Sequence, residues 1–148
     1  MIAISDDVLW QRFNLGLKRG NVLRTLIQFQ TEPRYKRLLL LNRDFTGEEV
    51  FYFFTTSRVK WYFENKNWAL VSENCIFVET GETPNNMTEK MVIDCRRVFM
   101  INKNDLFNNY KNLKLDFLEM FSEEIMSNIN RIIKNSKLIA PKYITKII

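Results

Sequence analysis

The sequence predicts an α+β fold: a small antiparallel SH3-like β-barrel, or a strongly bent sheet, with a helix near each end of the chain. Six short segments rich in Val, Ile, Phe, Leu and Thr are separated by turn residues rather than by long helices, which is typical of antiparallel sheets. Both ends of the chain instead show helical capping signals. The chain has 148 residues, 46% of them hydrophobic, which suits one domain with a sizeable core.

The first element is a helix predicted from about Ser5 to Leu15. Ser5 suits the N-cap position, because its hydroxyl accepts from the free backbone N–H groups of the first turn. Asp6 and Asp7 suit the positive end of the helix dipole. Gly16 is suited to end the helix.

The middle of the chain is predicted to form the sheet. The predicted strands are Val22–Phe29, Arg37–Leu41, Glu49–Thr56, Cys75–Glu79, Lys90–Asp94 and Val98–Ile101. The turns between them are marked by Glu32-Pro33, by Asn42, Asp44 and Gly47, and by Gly81 to Asn86.

After Ile101 the spacing of the apolar residues changes from that of strands to that of helices, so helix is predicted there. Asn104–Asn109 reads as one or two helical turns, and Ser122 caps a longer helix that Pro141 stops. The apolar stripe of this helix is formed by Ile125, Ile129, Ile132 and Ile133. The apolar tail 143–148 is expected to pack on the protein's own barrel or on a second copy. We therefore predict a single domain over 1–148, with a helical arm at 1–17, a barrel at 18–102 and a helical part at 103–148.

The composition excludes several kinds of chemistry. The chain contains no His, which rules out Ser-His-Asp and Cys-His catalysis and His-ligated metal sites. The two cysteines, Cys75 and Cys95, lie in apolar strings and are predicted to be buried, reduced thiols. No Walker-type phosphate loop is present, and no carboxylate pair lies at ligand-like spacing beside a base cluster. We therefore expect no metal and no cofactor.

The sequence pattern predicts neither a signal peptide nor a membrane span. The start lacks a basic region followed by a long apolar run, and the longest apolar runs fall far short of about 20 residues. These features predict a cytoplasmic protein that makes no contact with a membrane.

Basic residues are concentrated in two stretches. The segment from Lys18 to Arg43 holds seven basic residues and one acid, Glu32. The segment from Arg131 to Lys146 holds five basic residues and no acid. Such stretches attract polyanions, although a solvated loop and the cations at a helix C-terminus give the same pattern.

The order of several short motifs resembles the MazF/PemK-like toxins of type II toxin–antitoxin modules. Gly20-Asn21-Val22 opens a strand, Lys36-Arg37 leads into an apolar strand, and Val50–Phe54 ends in Thr55-Thr56-Ser57. A later strand carries Ile93–Val98, and the last long helix starts with Ser-Glu-Glu. The resemblance covers roughly residues 19 to 136. Three family positions differ: the chain has Leu38 and Phe53-Phe54 in place of prolines, and Asn21 in place of an aspartate.

The resemblance implies an SH3-like barrel that cleaves single-stranded RNA without a metal. In this scheme the RNA 2′-hydroxyl attacks the adjacent phosphate, leaving a 2′,3′-cyclic phosphate and a 5′-hydroxyl. The family's catalytic pair maps to Arg37, which in this scheme assists proton transfer and binds the phosphorane, and to Thr55, which donates a hydrogen bond to the developing charge. The residues expected to bind RNA around them are Arg34, Lys36, Thr56, Ser57, Arg58 and Trp61. The resemblance also implies a homodimer and an antitoxin whose acidic tail fills the same basic groove.

The residue types themselves leave other interpretations open. Arg suits a phosphate because its donor fork matches two oxygens, but it is a poor proton acceptor. Arg37 also fits an exposed strand start, and Thr55 fits an ordinary β-branched strand position. Trp61 suits either base stacking or a core. Arg96 suits either a phosphate or an ion pair with Asp94. The alternative function is a non-catalytic module that binds nucleic acid or protein.

Overall fold

We analysed a computed structural model of the chain, which describes residues 3–64, 67–79 and 90–148. The helices are α1 (Asp6–Gly16), α2 (Val59–Phe63), α3 (Trp68–Asn74), α4 (Lys103–Lys111), α5 (Glu123–Asn135) and α6 (Pro141–Ile147). The strands are β1 (Asn21–Gln28), β2 (Pro33–Leu40), β3 (Glu49–Thr56), β4 (Cys75–Val78), β5 (Met91–Asp94), β6 (Phe99–Asn102) and β7 (Leu115–Met120). The predicted turn at Gly81 to Asn86 lies outside the described residues.

The strands form one antiparallel sheet in the order β4-β5-β3-β2-β1-β7. Strand β6 also pairs with β3, so β5 and β6 follow one another along the same edge of that strand. The predicted α+β fold, with an antiparallel sheet and helices at both ends of the chain, is confirmed. Within the described ranges the sheet is open rather than closed into a barrel, because β4 and β7 have no pairing with each other.

Side-chain caps start two of the helices where the sequence predicted them. The Ser5 hydroxyl accepts from the backbone N–H of Val8 at 3.3 Å at the start of α1. The Ser122 hydroxyl accepts from the N–H of Ile125 at 3.3 Å at the start of α5. In both helices the cap satisfies a backbone donor that has no partner inside the helix.

The sheet separates two apolar layers. On one face, called here the α5 face, Leu39 and Phe53 pack with α5 and α6 around Ile129 and Ile147. On the opposite face, called the α1 face, neighbouring strand residues pack with α1 and α4. That second layer includes Phe13, Leu38, Leu40, Tyr52 and Leu106. Since side chains alternate along a strand, adjacent residues of β2 and β3 point to different layers. This alternation decides where each candidate functional residue lies.

Strand β7 was not predicted, and it lies inside the part at 103–148 that the sequence suggested was helical. A register shift explains why its pattern was missed. Asn21 pairs with Met120 and Leu23 pairs with Phe117, so β7 has one more residue than β1 between these pairs. A bulge of this kind interrupts the alternation of apolar and polar residues by which strands are recognised.

The apolar tail packs on the protein's own sheet. Pro141 occupies the first turn of α6, and Ile147 is fully buried in the layer on the α5 face. Arg19 joins this helix to the sheet, because its Nε donates to the carbonyls of Leu41 at 3.1 Å and Ile147 at 3.0 Å. Of the two predicted positions of the tail, on the protein's own sheet or on a second copy, the structure therefore has the first.

Both cysteines are buried and carry free thiols, as predicted. Burial raises the pKa of the Cys75 thiol to about 12, so this thiol is protonated at neutral pH and unreactive. None of the helices in the described part of the chain is long and apolar enough to cross a membrane.

Candidate functional site

The two residues predicted to be catalytic are directly opposite each other in the sheet. Arg37 of β2 pairs with Thr55 of β3, so their side chains share one face. That face is the α5 face, because Leu39 and Phe53 lie two residues further along the same strands. Arg37 is partly exposed, whereas Thr55 is only 3% exposed.

The Thr55 hydroxyl is not available to a ligand in this structure. Its oxygen is buried and has no hydrogen-bond partner among the described residues. Thr55 is paired on its other side with Ile93, a fully buried core residue. A buried hydroxyl without a partner costs free energy and stabilises no charge outside the core.

We expect Thr55→Val to stabilise the fold by about 1 kcal/mol, because the change removes an unsatisfied buried hydroxyl and keeps the branched shape. Chemical denaturation of the two proteins measures the difference. Thr56→Val is the matched control: the Thr56 hydroxyl accepts from the Arg58 N–H at 3.1 Å, so its removal should give no such gain. A loss of stability in Thr55→Val would show that the hydroxyl has a partner.

A pocket of about 530 Å³ opens on the other face of the same two strands. It lies where β2 begins and β3 ends, beside α2 and the segment that joins β5 to β6. Its lining residues are Phe29, Lys36, Phe54, Thr55, Thr56, Arg58, Trp61, Tyr62, Asp94, Arg96, Arg97 and Phe99. Cations and aromatic rings therefore share one concave surface, with a single carboxylate among them.

Three cations crowd together at one side of the pocket. The pKa of Lys36 is lowered by its partial burial and by the charges of Arg58 and Arg34. Arg34 forms an exposed ion pair with Glu32 at 3.1 Å, and Arg58 is exposed. A group of like charges repels itself and is stabilised when an anion binds, so this side of the pocket is electrostatically suited to an anion.

Aromatic side chains form the rest of the wall. The rings of Phe54 and Phe99 lie 4.6 Å apart, and Phe29 lies 6.4 Å from Phe54. Trp61 is 55% exposed, and its ring forms a T-shaped pair with the ring of Tyr62, with the centroids 4.8 Å apart. A tryptophan ring that is more than half exposed offers aromatic surface on which a flat ligand can stack.

A hydrogen-bonded group around Asp94 forms one wall of the pocket. Arg96 donates from Nε to Oδ1 of Asp94 at 2.9 Å and from Nη2 to Oδ2 at 2.7 Å. The Tyr62 hydroxyl donates to Oδ2 at 2.8 Å. Burial alone raises the pKa of Asp94, but the hydrogen bonds from Arg96 and Tyr62 outweigh it and hold the pKa below its usual value. The sequence left open whether Arg96 contacts a phosphate or pairs with Asp94, and the structure shows the ion pair.

The sheet register thus divides the predicted site residues between two faces. Lys36, Thr56, Arg58 and Trp61 line the pocket, and Arg34 lies beside Lys36. Ser57 is exposed at the bend between β3 and α2. Arg37 does not line the pocket, and Thr55 reaches it only with its hydroxyl enclosed.

Sequence reasoning missed the aromatic wall of Phe29, Phe54 and Phe99, and the hydrogen bond from Tyr62 to Asp94. Strict alternation along β3 would have placed Phe54 and Thr56 on one face, away from Thr55. Nothing in the sequence indicated that Phe29 and Phe99 meet them. No group of three or more His, Cys, Asp or Glu side chains in the described ranges is placed to hold a metal ion.

Comparison with known proteins gives this chain no family. No family model matches the sequence, and no curated protein matches it significantly.

Proposed function

We propose that this protein binds single-stranded RNA in the pocket on the α1 face of the sheet. The observation that supports the proposal is the coincidence of a cation cluster and an exposed tryptophan in one concavity. Single-stranded nucleic acid presents charged phosphates and flat unpaired bases, and proteins bind it with basic grooves that carry aromatic stacking platforms.

In this arrangement the sugar-phosphate backbone of the RNA and one of its bases occupy different parts of the pocket. Phosphates contact Lys36 and Arg58, whose charges no carboxylate among the described residues neutralises. A base stacks on Trp61 and contacts the wall formed by Phe54 and Phe99. A pocket of 530 Å³ lies within the range of about 300–1,000 Å³ that is usual for small-molecule sites, so it accommodates one nucleotide unit of a longer strand.

Cleavage of the bound RNA is the second candidate function, and Lys36 favours it. Its pKa is lowered, so a larger share of the amine is uncharged and able to accept a proton than in an ordinary lysine. In the reaction the 2′ oxygen bonds to phosphorus and gives its proton to that amine. The P–O5′ bond breaks, the leaving 5′ oxygen takes a proton from water, and Arg58 stabilises the charge on the phosphorane. This route places the chemistry on the α1 face, away from Arg37.

The cation cluster also suits a protein partner. An acidic protein segment, such as the antitoxin tail that the MazF/PemK resemblance implies, would compete with RNA for the cluster around Lys36. The same resemblance implies a homodimer, which we also propose for this chain. The free, buried thiols of Cys75 and Cys95 suit a reducing cytoplasm, where RNA is available.

The test uses purified protein and a long single-stranded RNA in EDTA, followed by fluorescence anisotropy for binding and gel electrophoresis for cleavage. We expect binding that weakens steeply with salt. Arg37→Ala and Lys36→Ala separate the two faces. Cleavage that leaves 5′-hydroxyl ends and is lost only in Lys36→Ala supports catalysis in the pocket, whereas loss only in Arg37→Ala supports the pair implied by the resemblance. Absence of both binding and cleavage would contradict the proposal.

A further inference from the structure

Arg96 is held differently from the other cations of the pocket. Asp94 accepts its Nε and Nη2 groups side by side, and also accepts the Arg96 backbone N–H at 3.1 Å. The next residue, Arg97, is exposed over the ring of Phe99 at 4.6 Å and has no carboxylate partner in the described ranges. The two neighbouring arginines therefore differ: the charge of Arg96 is paired and its guanidinium is fixed by Asp94, whereas Arg97 has no carboxylate partner in the described ranges and lies over an aromatic ring.

The pairing with Asp94 changes what Arg96 can contribute to a ligand. Its charge is balanced, so it adds little to the general attraction for phosphate. Its orientation is fixed, because two parallel hydrogen bonds hold the plane of the guanidinium. A guanidinium has five N–H donors. The end formed by Nη1 and the second N–H of Nη2 has no hydrogen-bond partner among the residues that the structure describes. A rigid two-donor fork is left in the wall of the pocket.

A fixed fork of two donors selects a ligand edge with two adjacent acceptors. Guanine offers such an edge in O6 and N7, and arginine on this edge is the commonest specific contact to a base. Adenine presents a donor beside N7, and uracil has a donor between its two carbonyls. Cytosine offers N3 and O2, but it has one ring to stack where guanine has two. In a single strand these edges are open to the protein.

We propose that Arg96, oriented by Asp94, selects a guanine base in this pocket. The proposal rests on the proposed function, since it assigns the base that the RNA places there. Asp94 does not contact the base: Oδ1 accepts from Arg96, and Oδ2 accepts from both Arg96 and the Tyr62 hydroxyl, so it is a positioning residue. Lys36 and Arg58 hold phosphates, and the Phe54–Phe99 wall contacts the ring.

The experiment measures the affinity of the full chain for uridine oligomers of about 10 nucleotides that carry one central test base. The test bases are guanine, inosine's hypoxanthine, 7-deazaguanine, adenine and cytosine. Hypoxanthine keeps O6 and N7, whereas 7-deazaguanine loses N7. We expect the guanine and hypoxanthine oligomers to bind roughly 10-fold more tightly than the others, which is the usual discrimination of a two-bond contact.

Two variants separate base selection from general affinity. Arg96→Lys keeps a cation beside Asp94 but loses the fork, so we expect the preference to vanish while binding to plain oligouridine persists. Arg97→Ala is the matched control, and we expect it to weaken binding to every oligomer equally and keep the preference. Thermal unfolding of Arg96→Lys checks that the variant is folded.

The outcomes distinguish this proposal from the one on which it rests. Binding of all oligomers with equal affinity, or a preference that survives Arg96→Lys, overturns the assignment of guanine and leaves RNA binding standing. Equal preference for cytosine and guanine overturns it as well. If no oligomer binds, both proposals are wrong.

Discussion

Replacing Lys36 and Arg58 together by alanine is expected to weaken binding of single-stranded RNA by at least about 100-fold at physiological salt. Each side chain supplies a charge-assisted contact to phosphate, and such contacts contribute about 1.5–3 kcal/mol each. Loss of both should also reduce the slope of log affinity against log salt by about 1.4, since each phosphate contact on a single strand releases roughly 0.7 of a counterion. Anisotropy titrations at several salt concentrations measure both quantities.

The control for this double variant removes the same charge elsewhere. Arg12 and Lys18 are exposed and do not line the pocket. Replacing both by alanine removes as much positive charge as the Lys36 and Arg58 double variant does, but leaves the pocket lining unchanged. We expect it to shift affinity by less than about 3-fold, because neither side chain lines the pocket and exposed charges are largely screened at this salt. Equal losses in the two double variants would mean that RNA binds through net charge rather than in the pocket.

Removing the Trp61 side chain distinguishes binding of nucleic acid from binding of other anions in the same assay. Stacking of a base on an aromatic ring contributes about 1–3 kcal/mol, whereas an acidic peptide has no base to stack. The ring of Trp61 is exposed and pairs with the ring of Tyr62, so we expect its removal to leave the cation cluster in place. The pocket therefore has two separable components, and only RNA is expected to use both.

The sequence predicted most of the fold because its elements are short-range features. The Ser5 and Ser122 caps, the apolar stripe of α5 and the β-branched runs of the strands all depend on nearby residues, and the structure has them in place. The short helices α2 and α3 were missed, because five and seven residues without side-chain caps show no clear period.

The site was harder to predict because it depends on pairing between distant segments. The sequence could mark Lys36, Arg37, Thr55 and Thr56 as candidates, but adjacent residues in a strand point to opposite faces. Only the register, with Arg37 opposite Thr55, shows which of them share a face with Arg58 and the segment after β5. The contact of Asp94 with Tyr62 depends on that long-range arrangement as well, whereas its ion pair with Arg96 is local and was among the sequence-based interpretations.

Replacing Asp94 by alanine is expected to lower the free energy of unfolding by about 2–3 kcal/mol. The change leaves the Tyr62 hydroxyl and the Arg96 guanidinium without their acceptor in a half-buried place, and an unpaired buried donor carries its full desolvation cost. Urea denaturation at neutral pH measures the loss. Asp116→Ala is the control, since Asp116 is exposed and we expect a change of less than about 0.5 kcal/mol.

The same carboxylate makes stability depend on pH in a defined direction. The pKa of Asp94 is lower in the folded protein than its value of about 3.9 in an unfolded chain. Its stabilising contribution is therefore fully present above about pH 5 and is lost as the pH falls through 3.9 towards the folded pKa. Asp94→Asn lacks this titration, so the difference in stability between wild type and this variant should shrink steadily below about pH 5. A difference that stays constant down to about pH 3 would mean that the Asp94 carboxylate is not held in its charged form by Arg96 and Tyr62. The fork proposed to select guanine would then lose its support.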